Sequence, residues 1–386
     1  MTEKILHAFE AGRRGKPDEL ETGIANLISA HFLTINPLSR FDVRVTGSYQ
    51  DRPSIRVSGE ITDTLLHEGL QTDLSRVISD QYNKIHKTTL APQDFNFTFA
   101  FKPQAAPLAH NTAAGDSGTA IAVAYKHTPY HLPWERFLAV NIRDIIDAIY
   151  QQDGQVPAGL AADCGITHLQ GLRADGKIAA HALYDGANLD SIRSLTIAVE
   201  HEPTLPVAEL RDKLTVILRA HLSTLEKTFG ADFHHPTIEI NTLGDWNDGG
   251  GWQGDEGSRE AKPYRDAFAT YGVLEDSFSG EDPTKPSATG TFLARHIAVQ
   301  LVNRFADFAR VALIYTIGSD DVGVHVSTNN TATLPQHQLE EWVKQHIPLS
   351  IHDTITRFKL RDTDTYKQIV RASDYFHDPT LPWNTV

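Results

Sequence analysis

Residues 276–298 carry the passage on which the reading turns. Asp276-Ser277-Phe278-Ser279-Gly280-Glu281-Asp282-Pro283-Thr284-Lys285 runs through Pro286 and Gly290 into Phe292-Leu293-Ala294-Arg295-His296-Ile297-Ala298. Small, polar and proline residues crowd the first half, which reads as a loop. The second half is apolar and helix-forming, and predicts a helix over about residues 291–308. Taken alone, this is a loop feeding a helix.

Upstream, Leu20, Ile24, Leu27, Ile28 and Phe32 repeat at helical spacing behind Pro17-Asp18-Glu19, whose proline and carboxylates suit a first turn. Phe41, Val43 and Val45 alternate, residues 48–53 turn, and Ile55 and Val57 alternate again, which predicts a hairpin. A second helix carries Leu70, Leu74, Val77, Ile78, Tyr82 and Ile85, and Phe95, Phe97, Phe99 and Phe101 mark a strand. The order helix, hairpin, helix, strand recurs. Helices at 133–151 and 206–229 flank strand-like Leu195, Ile197 and Val199; a third round has a helix at 291–308, strands at 311–317 and 322–326, and a helix at 335–347. The expected fold is α+β, with three similar α/β units whose mixed sheets are covered by helices on one face. In sequence the units span 1–104, 105–243 and 244–386, with their true boundaries open to interleaving.

With 386 residues and 40% hydrophobic content, the chain can bury a large core. Its 49 acidic residues against 35 Lys and Arg give a formal charge of −14, which opposes a general nucleic-acid or anionic-membrane surface. Neither partner is expected. Cys164 is the single cysteine, so an internal disulfide and a cysteine zinc cluster are excluded. No apolar run has the length of a signal peptide or a membrane span, and a cytoplasmic protein is expected.

Residues 244–257 are glycine-rich and acidic and hold Trp246 and Trp252, the composition of a functional loop. Gly249-Gly250-Gly251-Trp252-Gln253-Gly254 matches the glycine spacing of dinucleotide loops. No strand ends directly before it, however, and no apolar helix follows Asp255-Glu256-Gly257-Ser258, so the phosphate-binding context is missing. The pairs His127/His131 and His234/His235 lack a third ligand at metal spacing. No Gly-x-Ser-x-Gly elbow supports a triad hydrolase.

The passage at 276–298 resembles the signature of S-adenosylmethionine synthetases, a Phe-Ser-Gly-Lys-Asp-Pro-Thr-Lys loop followed by a helix rich in Ala and Arg. Four other segments fall in that family's order. Gly15-Lys16-Pro17-Asp18-Glu19 resembles its Gly-His-Pro-Asp-Lys, and Ser58-Gly59-Glu60-Ile61-Thr62 its Gly-Gly-Glu-Ile-Thr. Ala114-Gly115-Asp116-Ser117-Gly118 resembles its Ala-Gly-Asp-Gln-Gly, and Gly254-Asp255-Glu256-Gly257 its Gly-Asp-x-Gly. The resemblance implies that methionine sulfur attacks C5′ of ATP and expels triphosphate, which is then cut to diphosphate and phosphate. It implies Mg²⁺, leaves K⁺ open as a second ion, and implies a homodimer with sites between subunits that could pair further into a tetramer. By the same resemblance Asp18 would bind the metal, and Lys16, Asp116, Asp255, Lys262 and Lys285 would be catalytic. Glu60, Gly115, Ser117, Asp163, Arg259, Phe278, Ser279, Gly280, Glu281 and Asp282 would bind the substrates. Read alone, Asp18 is a first-turn carboxylate and Asp116 a turn residue.

The reaction needs no general base, since a thioether sulfur has no proton to lose. Cations must hold and neutralise the departing phosphates. Departures from the family pattern fall on those cations and on one metal ligand. Lys16 replaces a histidine, Glu281 a lysine, Ser287 a metal-binding aspartate and Ala261 an arginine. A lysine two residues after Asp163 would be expected, and Gly165 stands there. Arg259, Arg265 or Arg295 could take over phosphate contacts. Two other outcomes stay in view, a homologue with another nucleotide or acceptor and a non-catalytic nucleotide-binding partner.

Overall fold

The computed structural model describes residues 4–258, 268–272 and 278–385. In chain order the strands are β1 (Lys4–Gly12), β2 (Phe41–Tyr49), β3 (Pro53–Ile61), β4 (Asn96–Pro103), β5 (Gly118–Tyr125), β6 (Leu172–Asp185), β7 (Asn188–His201), β8 (Thr237–Ile240), β9 (Gly257–Ser258), β10 (Phe308–Tyr315) and β11 (Gly323–Ser327). The helices are α1 (Pro17–Ile35), α2 (Leu70–His86), α3 (Ala106–Ala109), α4 (Trp134–Gln151), α5 (Ala158–Cys164), α6 (Val207–Phe229), α7 (Pro286–Arg304), α8 (Gln336–His346), α9 (Ile351–Phe358) and α10 (Thr363–Ala372).

The first round runs α1, hairpin β2–β3, α2, and then β4, which lies parallel to β3. The second has α4, hairpin β6–β7, α6, and β8 parallel to β7. The third has α7, hairpin β10–β11 and α8. Each hairpin takes in one further strand from outside its own round. The sheet orders are β1-β6-β7-β8, β11-β10-β5 and β4-β3-β2-β9. β1 thus opens the first round and pairs in the sheet of the second, β5 pairs in that of the third, and β9 in that of the first.

The chain forms two compact units, Met1–Glu19 with Pro133–Glu256 and Leu20–Leu132 with Gly257–Val386, and the boundary falls inside α1. In the first unit, α4 lies on β6 and β1. The rings of Trp134 and Phe137 meet Phe229 of α6, and Trp134 also meets Phe233. The Tyr184 hydroxyl accepts the Trp134 amide at 2.8 Å and donates to Glu135 at 2.9 Å, so the start of α4 is tied to β6.

In the second unit, Phe32 of α1 meets Phe41 and Phe101 edge-on and covers one face of the β4–β3–β2 sheet. α7 lies on β5 and β10. It starts earlier than its apolar pattern foretells, at Pro286, because proline is well placed in the first helical turn and Ser287 to Gly290 need no apolar period to continue a helix already bounded by packing. It ends at Arg304, and Phe308 opens β10 instead of closing the helix. The chain end closes this core, with the indole of Trp383 stacked on Phe292 at 4.0 Å and 7°. Among the described residues no helix is long and apolar enough to cross a membrane.

Several histidines serve these cores. Burial pushes the pKa of His86, His221 and His296 down to about 4, with the charges of Arg357 and Arg304 adding to the fall at His296. The folded chain therefore prefers these rings neutral, while the unfolded chain protonates them near 6.5. Their contribution is complete above about 6.5 and is lost as pH falls toward about 4. We expect the thermal midpoint to drop between pH 6.5 and 5, ahead of most carboxylate titration, and His86→Phe to reduce that drop. Calorimetry across this window checks it; a flat midpoint would refute it.

Candidate functional site

In the first unit, the glycine-rich loop after β8 folds back over the ends of β6 and β7. His201 donates its amide to the Trp246 carbonyl at 3.0 Å and accepts the Trp246 amide on Nε2 at 3.1 Å. The Trp246 indole donates to the Gly249 carbonyl at 3.2 Å, and Asp245 accepts the first amide of α6, Val207, at 2.9 Å. Thus anchored, the loop walls a pocket of about 500 Å³ lined by Lys16, Asp175, Lys177, Trp246, Asp248 and Asp255 together with glycines and Gln253. Of the residues singled out from the sequence, Lys16 and Asp255 share this pocket, and Asp18 meets the Lys16 ammonium at 3.2 Å.

Asp175 is the pocket's buried carboxylate. It accepts the Gly251 amide at 2.7 Å and the Gly176 amide at 2.5 Å. Burial pushes its carboxyl up to about 6, helped by the charge of Glu200 and opposed by the two hydrogen bonds and by Lys16. The sequence reading missed this residue. It sought an aspartate followed two positions later by a lysine at Asp163, and that spacing recurs at Asp175-Gly176-Lys177, where both charged residues line the pocket. Asp163 does not line it: on α5 it accepts the Thr224 hydroxyl at 3.3 Å.

In the second unit, the loop 278–285 lies along the free edge of β2. The Val43 amide donates to the Gly280 carbonyl at 2.8 Å, and the Asp282 amide to the Phe41 carbonyl at 2.8 Å. The Asp282 side chain accepts from Arg40 at 3.1 Å, from the Thr284 hydroxyl at 2.6 Å and from the Thr284 amide at 2.9 Å. Phe278 and Ser279 are buried, and Phe278 packs among Phe292, Tyr375 and Phe376. Lys285 stands at the entrance of α7 and donates to Asp116 at 2.9 Å, with Asp42 at 3.7 Å. Burial alone would lower its pKa. The Asp116 hydrogen bond and the charges of Glu281, Asp42 and Asp116 outweigh burial and hold it above the usual lysine value. Glu281, 4% exposed, accepts the hydroxyl of Ser287.

Gly115 donates its amide to the Thr284 carbonyl at 2.9 Å, and the Ser117 hydroxyl accepts the Ile317 amide at 2.9 Å. This brings Gly115, Asp116 and Ser117 to Lys285, Glu281 and Asp282. Glu60 is engaged elsewhere on its sheet, with Lys102 at 2.8 Å and Gln104 at 3.3 Å. Arg295 is no phosphate candidate. It is fully buried and donates to the carbonyls of Val123 and Tyr130 at 2.6 Å and of His131 at 3.0 Å. Arg259, Lys262 and Arg265 lie outside the described residues.

Residues 249–385 match the model of the S-adenosylmethionine synthetase C-terminal domain. The S-adenosylmethionine synthase of Aquifex aeolicus (strain VF5) is 26% identical over 392 residues, 98% of this chain and 96% of that one. That of Thermosynechococcus vestitus is 25% identical over 421 residues, 98% and 95% of the two chains. Over nearly its whole length the chain is similar, at about a quarter identity, to S-adenosylmethionine synthases. The loop 278–285 lies in the part matched by the C-terminal domain model, and the segments Gly15–Glu19 and Ala114–Gly118 lie in the stretch matched only by whole-chain relatives.

Gly280 shows how narrowly the signature loop is seated. Its φ is +79°, and a Cβ there would stand 2.4 Å from the Val43 carbonyl oxygen. Gly280→Ala should cost on the order of 1–3 kcal/mol of stability. Denaturant unfolding measures it, and a loss under about 0.5 kcal/mol would mean that the loop does not depend on the β2 edge.

Proposed function

We propose that this protein is a methionine adenosyltransferase in which methionine sulfur attacks C5′ of ATP and triphosphate departs, to be cleaved to diphosphate and phosphate. The observation that carries this reading is the unit-one pocket, where Lys16, Asp255, Asp175 and Lys177 share one cavity under the glycine-rich loop. The similarity to S-adenosylmethionine synthases over nearly the whole chain supports it.

The sulfur brings its own lone pair, so the protein has to align it with C5′ and to exclude water. Lys16 and Lys177 supply positive donors on the pocket wall for charge that grows on the leaving oxygen. Asp175 and Asp255 supply acceptors for hydroxyl and ammonium groups of the substrates. In this reading Asp116, Lys285 and Asp282, with Gly115, Ser117 and Gly280 shaping their loops, are a separate candidate cluster for substrate contacts, in unit two.

A Mg²⁺ ion carried on a polyphosphate needs only one or two protein carboxylates beside phosphate oxygens and water. Asp18 is the carboxylate this reading would assign to the ion, beside the pocket residue Lys16 at 3.2 Å, and among the described residues no three His, Cys, Asp or Glu side chains converge to hold an ion unaided. Bound at Asp18, the ion would stabilise charge on the departing phosphates. The active assembly is a homodimer.

A second reading keeps the displacement at C5′ with another nucleotide or acceptor, and Glu281 favours it. A buried carboxylate stands where the family signature has a lysine, and Lys285 nearby already serves Asp116. One assay decides between them. Pure protein with ATP, Mg²⁺ and methionine should yield S-adenosylmethionine, diphosphate and phosphate by mass spectrometry; their absence despite bound nucleotide would reject the first reading. The double variant Glu281→Lys with Ser287→Asp restores the family pair and should raise turnover about tenfold or more, given what one leaving-group donor contributes. An unchanged rate would mean that the loop serves another leaving group.

A further inference from the structure

Asp175 reaches its pocket through a break in the β6–β7 ladder. Leu172 pairs with His201 and Gly176 with Val199, so Arg173, Ala174 and Asp175 all stand opposite the single residue Glu200. Such a bulge turns a side chain out of the sheet and leaves main-chain groups without ladder partners. Two buried charged residues supply those partners. Glu200, 6% exposed, accepts the Asp175 amide at 3.4 Å on one oxygen and faces the Arg173 guanidinium at 3.4 Å with the other. Arg13, fully buried and paired with Asp147 at 2.8 Å, donates to the carbonyls of Arg173 at 2.6 Å and Asp175 at 3.0 Å. The Gly15 amide takes the Ala174 carbonyl at 3.2 Å.

The same Glu200 carboxyl supports the loop above. A Cβ on Gly250 would stand 2.4 Å from it and 2.9 Å from the Asp175 Cβ, so this glycine rests directly on the two acids. Gly251 then gives its amide to Asp175. We propose that Glu200, which does not line the pocket, is its positioning residue: it fills the β6 bulge, fixes the direction of Asp175 and sets the height at which Gly250 and Gly251 seat the glycine-rich loop. Its bearing on turnover rests on the adenosyl-transfer reading, whereas its bearing on the loop does not.

The charges around Asp175 suit this arrangement. Lys16, Lys177, Asp248 and Asp255 face it from the pocket, Glu200 and Arg173 from the sheet, and Arg13 from beneath the bulge. Burial raises the Asp175 carboxyl, and the charge of Glu200 beside it adds a lesser push the same way.

Two readouts separate loop seating from catalysis. Hydrogen exchange of residues 244–257, compared with wild type at one pH, should quicken about tenfold in Glu200→Ala, while the amides of β10, in the other unit, stay unchanged. Glu200→Gln keeps the acceptor and the bulk, so it should restore most of that protection. Gly250→Ala should accelerate exchange strongly beside Glu200 and less in combination with Glu200→Ala, since the tighter clash, with the Glu200 carboxyl, is then gone and only the contact with the Asp175 Cβ is left. ATP affinity by calorimetry should follow the same order across the variants. Unchanged exchange in Glu200→Ala, or an equal effect of Gly250→Ala in both backgrounds, overturns the proposal. Failure of wild-type protein to bind ATP would reject the adenosyl-transfer reading and leave the exchange results to decide this one.

Discussion

A strand edge carries N–H and C=O groups that must find partners. The fold meets that demand by exchange. Each round builds a hairpin with a parallel strand or a neighbour, and the exposed edge of that hairpin is closed by a strand that opens a different round. β2 shows how this reaches function. The far half of its edge pairs with β9, at Thr46 and Gly47, and the near half takes the signature loop at Phe41 and Val43. The loop's position therefore follows in part from backbone pairing, and a side chain that takes no share in seating it can vary while its place stays fixed.

That separation accounts for how charges could change so much here without loss of the fold. Asp282 and Thr284 make the structural bonds of the loop, and Gly280 makes the close approach possible. Glu281, between them, contributes its side chain to a local network of Ser287 and Lys285. Glu281 thus bears on what the loop attracts but not on what holds it in place. The surplus of acid around Lys285 is compensated within the cluster by a lysine whose ammonium is held charged.

Much of the fold was legible from periodicity. α1, the β2–β3 hairpin, α2 and the four-phenylalanine strand appear where spacing places them; the hairpin and α2 each have one buried face and one wetter one, while α1 is buried on nearly every side and the phenylalanines of β4 are half-buried. β5 was not foreseen, being a continuous buried apolar run that periodicity cannot tell from helix, and β1 and β6 have partners remote in sequence. The exchange of strands was invisible for the same reason. α9 and α10 did carry a signal, the caps Ser350 and Asp362, on helices too short to show a pattern. At the site, Lys16 and Asp255 were legible from motif alone. Phe278 and Arg295 matched motif positions yet serve packing and main-chain bonding, because residue type does not say which way a side chain points.

Asp175 marks the limit of motif reading more sharply. Nothing in Arg173-Ala174-Asp175-Gly176-Lys177 announces that three residues will oppose one. An undistorted β6 would keep strict alternation and pair Asp175 in the ladder, with its side chain directed by the pleat. The bulge frees it from that rule, at the expense of buried amides and carbonyls that the sheet no longer satisfies. Glu200 and Arg13 satisfy them from opposite sides, an acid for the amide and a base for the carbonyls. Two charges far apart in sequence thus make one local backbone shape tenable, and that shape is what turns an ordinary strand aspartate into the buried carboxylate of a pocket.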